Sequence, residues 1–480
     1  MPRTSTSGDD NDTASASSSG AAASVSAPGK VLLTGGYLVL EPAFAGLVVA
    51  STARFHAYAS QAPAADESAG EEDAALRVVV ESPQFGQTIR GTLKRRVGGD
   101  GEGFAFVVRD DSDRNAYIEE TLLCAINGIE GVAPNSLQAS GQALSRRNLA
   151  ALPAFLPPFM EEKVDGERVA MKTGMGSSAA LVTALVGALV CFFVPTNRFE
   201  DTSEDLELIH NLAQLSHCFV QRKVGSGFDV SAACYGSQRF TRFPASILSA
   251  FSSPEALQPA ALGACLRDRE QWGVSRRIKP FKLPPGLRLL MGDVSAGSAT
   301  VSMVRQVLSW MKAEPEHAQS VVAALDQSNS AVERGFEALL PLLEQRAAGD
   351  ARRAMAQTSP EQWQAVDAAV GSVLVQIRES FLAVRALLRE MGERAQVPIE
   401  PPEQTALVDA TMAIPGVLIA GVPGAGGFDA VFVVALDESV LGHVEALWMA
   451  WPQSHPTATI CPLLCDADPF RGLRRGSGLQ

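Results

Sequence analysis

A mixed helix-and-strand protein with more than one domain is what this sequence predicts, and three observations carry that reading. At 480 residues the chain is too long for one ordinary core, and two or three domains are expected. Apolar residues make up 46% and charged residues 19%, the balance of a globular chain with a large interior. Strand-like runs that end in glycine turns are interleaved with segments of helical spacing.

The first 23 residues, rich in Ser, Ala, Asp, Gly and Thr, read as a disordered tail. Order is expected from "SVSAPGKVLLTGGYLVLE", with a strand at Val31–Leu33 and a turn at Thr34-Gly-Gly, and "PAFAGLVVASTARFHAYAS" continues strand-like. "LRVVVESP" and "GFAFVVRD" read as strands separated by the turn material "KRRVGGDGEG". A helix is expected over Ala116–Gly128 and an irregular insertion over Pro134–Pro158. Helices follow the loop "KTGMGSSAA" and occupy Glu204–Lys223, Glu316–Leu343 and Glu361–Met391. "GLRLLMGDVS" reads as a strand running into a loop-to-helix junction, and "GVLIAGVPGAGGFDAVFVVAL" as strand, glycine loop, strand. A domain junction is expected within Ser252–Pro285, and no internal repeat is visible.

Lys and Arg total 40 against 53 Asp and Glu, a net charge of −13, which argues against a general nucleic-acid binder. A few local cations could still dominate one cleft. The seven scattered cysteines, with no CxxC pair, read as reduced and mostly buried thiols of an intracellular protein. His210 and His217 are spaced poorly for one metal and read as ordinary core or surface histidines. "LVTALVGALVCFFV" is too short to span a membrane and suits a buried helix. With no signal peptide and no SKL terminus, a cytoplasmic enzyme is the expectation.

"KTGMGSSAALVTALVGALV", Lys172–Val190, carries the chemistry. A helix start leaves backbone N–H groups unpaired and carries a positive dipole end. Glycines allow close approach to an anion, and Ser177 and Ser178 can cap the helix, donate to phosphate or bind Mg²⁺. The loop is not a Walker A sequence. On these residues alone, a phosphate cradle and a serine-capped buried helix both stand.

Taken together, "APGKVLLTGGYLVLE", "KTGMGSSAALVTAL" and "GVPGAGGFDA" resemble, in order, the three motifs of the GHMP kinases. "QRKVGSGFDVSAACYGS" and "DVSAGSATVSMVRQVL" narrow the resemblance to the phosphomevalonate kinases of fungi, plants and protists. The resemblance implies an α+β fold: an N-terminal ribosomal-protein-like domain over residues 24–260, packed on a ferredoxin-like C-terminal domain over 285–470. It implies ATP and Mg²⁺ as cofactors and transfer of a phosphoryl group to 5-phosphomevalonate. Neither nucleic acid nor membrane would be a partner, and monomer and homodimer are both open. Peroxisomal import is also open, because some relatives are sorted there.

By the same resemblance Lys172, Gly174, Gly176, Ser177, Ser178 and Ala179 would hold the ATP phosphates, with Ser178 on Mg²⁺ and Asn115 near the nucleotide. Lys30 and Asp229 match the catalytic pair. Lys223, Ser226, Gly227, Gly297, Ser298, Thr300 and Gly426 would line the acceptor site, and Gly424 and Gly427 would support it. Asp429 is given a structural role, and Asp229 has a bland reading as a helix cap. Two departures stand out: Arg222 replaces a usual glycine, and Ala-Thr-Val follows Ser298 where Ser-Thr-Pro is common. The rival readings are another GHMP kinase such as mevalonate kinase, diphosphomevalonate decarboxylase, or a non-catalytic sensor on the same fold. Mevalonate kinases usually carry Glu where Gly36 stands, and sensors tend to lose the lysine or the aspartate.

Overall fold

The computed structural model describes residues 22–61, 76–83, 86–96, 103–134, 160–162, 168–170, 175–294, 300–455, 460–463, 465–469 and 472–476. Of the expected tail, only Ala22 and Ala23 fall within these, and they begin the first strand. The expected insertion after Pro134 lies outside them up to the short strand at Met160–Glu162.

Two long strands frame the first sheet, β1 (Ala22–Thr34) and β2 (Ala45–Ser60), paired antiparallel. Their ladder shifts register between Pro28 and Lys30, because proline has no N–H to continue it. At this irregularity the Lys30 amide leaves the sheet and donates to the Met175 carbonyl at 2.8 Å. A bulge of this kind re-aims a side chain. Here it ties the first motif to the glycine loop.

β3 (Leu76–Ser82), β4 (Gln87–Arg96) and β5 (Gly103–Val108) form a separate antiparallel sheet. β4 is a correction: Lys94–Arg96 were read as turn material, yet they continue a strand whose Ile89, Gly91 and Leu93 alternate inward. The basic end of β4 hid that alternation. β6 (Met160–Glu162) and β7 (Arg168–Ala170) pair with each other. β8 (Gln238–Thr241) and β9 (Ile278–Pro280) extend the first sheet to the order β14-β1-β2-β8-β9, where β14 is Arg474–Arg475. The stretch expected to hold the domain junction is therefore built structure up to Pro280. Its helix Pro259–Arg267 packs on the helix Ala116–Val132.

The second sheet has the order β11-β12-β10-β13, from β10 (Arg288–Asp293), β11 (Val417–Gly421), β12 (Ala430–Ala435) and β13 (Cys461–Leu463). Every residue of β11 and β12 is buried, which explains their continuous apolar runs. Two long helices, Pro315–Leu343 and Ala368–Ala395, pack against each other beside this sheet. Asp367 starts the second by accepting from the amides of Ala369 and Val370. Its apolar core is continuous with Val31, Leu33, Tyr37 and Met175 of the first motif and glycine loop, so both halves bury one interface. The tail of the chain is strapped back onto β1 and β2, with Arg54 and Arg474 both paired to buried Asp468 at 2.6 and 2.5 Å.

The apolar run after the glycine loop is the helix Ser177–Phe193, buried over most of its surface against β1 and β2. No described helix is long and apolar enough to cross a membrane. Among the described residues no disulfide forms, and four of the seven cysteines are buried.

His210 sits in the core of the helix Ser203–Val220, edge-on to Trp272 and bonded through Nδ1 to Asn211. Burial pushes its imidazole down to about 4, from an unfolded value of 6.5. Between these values the unfolded chain binds the extra proton, so stability rises with pH across the window and is lost as pH falls through it. The full span corresponds to about 3 kcal/mol, and about 2 kcal/mol of it is gone by pH 5. Denaturant midpoints measured at pH 7 and pH 5 should converge in His210→Phe relative to the unmodified chain. Equal pH dependence in the two would refute this source of acid sensitivity.

Candidate active site

Four segments converge on Lys30. It lies within β1 and is 8% exposed. Burial pushes its ammonium pKa down, while the carboxylates of Asp229 and then Asp429 oppose that shift. The Nζ also lies 5.2 Å from the centre of the Phe228 ring. Burying an ammonium is costly, and the two carboxylates offset that cost.

The glycine loop closes over this lysine. Gly176 adopts φ 70°, ψ 36° and begins the helix Ser177–Phe193. The helix's first internal bond runs from the Ala180 amide to the Gly176 carbonyl. The amides of Ser177, Ser178 and Ala179 are thus unused within the helix and mark its positive end. A Cβ on Gly176 would lie 2.8 Å from Lys30 Cε, on a backbone that L-residues rarely adopt. Gly176→Ala should cost about 1–2 kcal/mol from the left-handed backbone. Turnover should fall further than the melting shift explains, because Lys30 is displaced; turnover tracking stability alone would contradict this packing.

Asp229 stands in the first turn of the helix Phe228–Tyr235. The bland cap reading is not what forms: the N-cap is Gly227, at φ 85°, and Asp229 Oδ1 accepts its neighbour's amide, from Val230 at 3.0 Å. Its other oxygen faces Nδ1 of His217 at 3.9 Å. The Nε2 of that buried imidazole meets Ser178 Oγ at 3.1 Å and Gln221 Nε2 at 2.8 Å. Burial lowers the His217 pKa; Asp229 opposes this and Lys223 adds to it. The sequence reading passed over His217 as a core or surface histidine. Its spacing to Gln221, one helical turn on, was the available signal.

The third motif forms the turn between β11 and β12, with Gly424, Gly426 and Gly427 at φ 70°, 75° and 89°. Tyr37 Oη donates to the Ala425 carbonyl at 2.8 Å, pinning the first motif to the third. A Cβ on Gly36 would lie 2.9 Å from the Gly424 carbonyl, so a side chain there would push the two motifs apart. Asp429, expected to be structural, has a backbone role through its carbonyl, which accepts from the Val294 amide at 3.1 Å. Its carboxylate also acts on Lys30.

Lys30, Gly176, Ser178 and Asp229 are thus gathered at one point, with Ser177 and Ala179 in the same helix turn. Ser226 and Gly227 form the turn before Asp229. Lys223 is exposed on the rim, near enough to His217 to influence it electrostatically. Arg222 takes φ 53°, the left-handed backbone that explains why glycine is usual there, and pairs with Glu120 at 2.6 Å. Asn115 caps the helix Ala116–Val132 through Ile118 and bonds Gln87. Lys172, Gly174, Gly297 and Ser298 lie outside the described residues, and Thr300 opens the helix Thr300–Ala313. A residue missed from sequence is Arg242. Its guanidinium donates to the carbonyls of Leu40, Val224 and Gly225 at 2.5, 2.9 and 3.0 Å, bracing the turn that presents Asp229 against the first motif.

The chain is 35% identical to the peroxisomal phosphomevalonate kinase of Arabidopsis thaliana, with 92% of this chain and 94% of that protein aligned. It belongs to the phosphomevalonate kinase family. A phosphomevalonate kinase of Gibberella zeae is 34% identical, over 95% of this chain and 96% of its own length. The model of the GHMP kinases N terminal domain matches residues 155–237, which include the glycine loop and Asp229. Among solved structures, Streptococcus pneumoniae phosphomevalonate kinase in complex with phosphomevalonate and AMPPNP superimposes with a TM-score of 0.52 at 16% identity, covering 94% of this chain and 99% of that one. The fold is the α+β fold of the GHMP kinases, as the three motifs led one to expect.

Proposed function

We propose that this family member transfers the γ-phosphoryl group of ATP to 5-phosphomevalonate, giving ADP and 5-diphosphomevalonate. The observation that carries the reading is Lys30, buried between Asp229 and Asp429 where the glycine loop and the third motif meet. Phosphoryl transfer asks a protein for positioning and charge stabilisation more than for covalent help. Donor and acceptor here are both anions. Lys30, together with the amides of Ser177, Ser178 and Ala179, would offset their repulsion and the charge that builds during transfer. The unit of residues 24–260 would hold ATP and that of 285–470 would close the acceptor side.

Among the described residues no group of three His, Cys, Asp or Glu could hold a metal alone. The donors available are hard oxygens, Ser178 Oγ and the Asp229 carboxylate, which fit Mg²⁺, an ion that is usually completed by phosphates and water. When bound, Mg²⁺ would neutralise phosphate charge. Ser178 is the residue we assign to it. Lys223, Ser226 and Gly227 would border the acceptor, with Gly426 beneath it.

Mass analysis of the product tests this reading. With ATP, Mg²⁺ and 5-phosphomevalonate, the acceptor should gain one phosphoryl group and keep its carboxylate. Release of CO₂ would identify a decarboxylase instead.

A further inference from the structure

The buried imidazole of His217 lies between Ser178 and Asp229, yet the mechanism above does not use it. It is 3% exposed and lies on the helix Ser203–Val220, which belongs to neither the glycine loop nor the turn bearing Asp229. Gln221 Nε2 is a donor, so the imidazole Nε2 that it meets at 2.8 Å must accept. The ring proton then resides on Nδ1, on the side of Asp229 Oδ2. Ser178 Oγ approaches the same accepting nitrogen at 3.1 Å. The serine is therefore the donor, sharing the single lone pair of that nitrogen with Gln221, and its own lone pairs turn away from the ring.

A hydroxyl that serves a cation needs this arrangement. If its hydrogen pointed at the cation, the lone pairs would be misdirected. Partners one step removed from a metal commonly fix the orientation of the residue that touches it. We propose that His217 is a positioning residue. By accepting from the Ser178 hydroxyl it aims the serine oxygen at the Mg²⁺-nucleotide, with Nδ1 turned to the side of Asp229. This rests on the reading of Ser178 as the metal-side hydroxyl, and it assigns no proton transfer to the imidazole.

The test is binding of a fluorescent ATP analogue to the full chain, with and without Mg²⁺, a readout that needs no acceptor. His217→Leu should leave Mg²⁺-free binding within about twofold and weaken the Mg²⁺ dependence about tenfold. His217→Gln, which keeps an acceptor, should recover much of that loss. Ser178→Ala covers the case in which a change at the buried ring unfolds the chain. It should show the same Mg²⁺ defect, and adding His217→Leu to it should cost little more. Unchanged Mg²⁺ dependence in His217→Leu, or in Ser178→Ala, would overturn the proposal. So would full additivity of the two changes. Loss of Mg²⁺-free binding in a folded His217→Leu chain would also overturn it, by reducing His217 to a packing residue. Failure of the acceptor assignment would leave all these binding results in place, so the two readings fail separately.

Discussion

Lys30→Met should lower turnover at least about 100-fold while the affinity for ATP changes little. Methionine fills much the same volume along β1, so the strand and the Lys30 amide bond to Met175 should persist. What disappears is a buried cation that the structure places under the influence of both Asp229 and Asp429. The phosphoryl group would then pass between two anions beside two carboxylates with no ammonium to balance them. Single-turnover kinetics and nucleotide binding, measured on the same preparation, separate the two effects. Near-normal turnover in Lys30→Met would defeat the assignment. Equal loss of binding and turnover would move Lys30 from the transition state to simple nucleotide binding.

Asp229→Asn should cost about 100-fold in turnover and leave the shape of the pH profile unchanged. The acceptor is a phosphate monoester whose second ionisation lies near pH ~6, so it is mostly dianionic at neutral pH. It needs little help from a base, unlike an alcohol. The structure supports a different task for Asp229. Its carboxylate is the largest favourable influence on the Lys30 ammonium, it faces His217, and its turn is braced by Arg242. An asparagine keeps the shape and removes the charge that holds the lysine. Steep recovery of activity with rising pH in Asp229→Asn would show that a base had been lost and would exclude the orienting role.

Much of this was legible in the residues. "KTGMGSSAA" and "GSGFD" were readable because a helix start needs small residues wherever the backbone turns left-handed, and Gly176 and Gly227 both do so. The strand–glycine–strand pattern of the third motif was readable because β11 and β12 are buried on both faces. The residues that escaped are those whose meaning depends on contacts distant in sequence. His217 meets Ser178 across 39 residues, and its one local signal, the spacing to Gln221, says nothing of that serine. Arg242 follows a strand as any surface arginine might, yet it reaches Leu40 across 202 residues. Asp429 was given a structural role because it follows the glycine turn, and its charge on Lys30 comes from the packing of the two sheets. β4 was missed because it ends in a lysine and two arginines, which resemble turn material when the alternation of the strand is ignored.

The most direct measurement is ADP release by the purified chain with ATP and Mg²⁺, comparing 5-phosphomevalonate, mevalonate and galactose as acceptors. The account predicts turnover with 5-phosphomevalonate alone. Turnover with mevalonate or galactose in its place would leave the fold and the phosphate loop standing and would contradict the acceptor assigned to the site around Lys30 and Asp229.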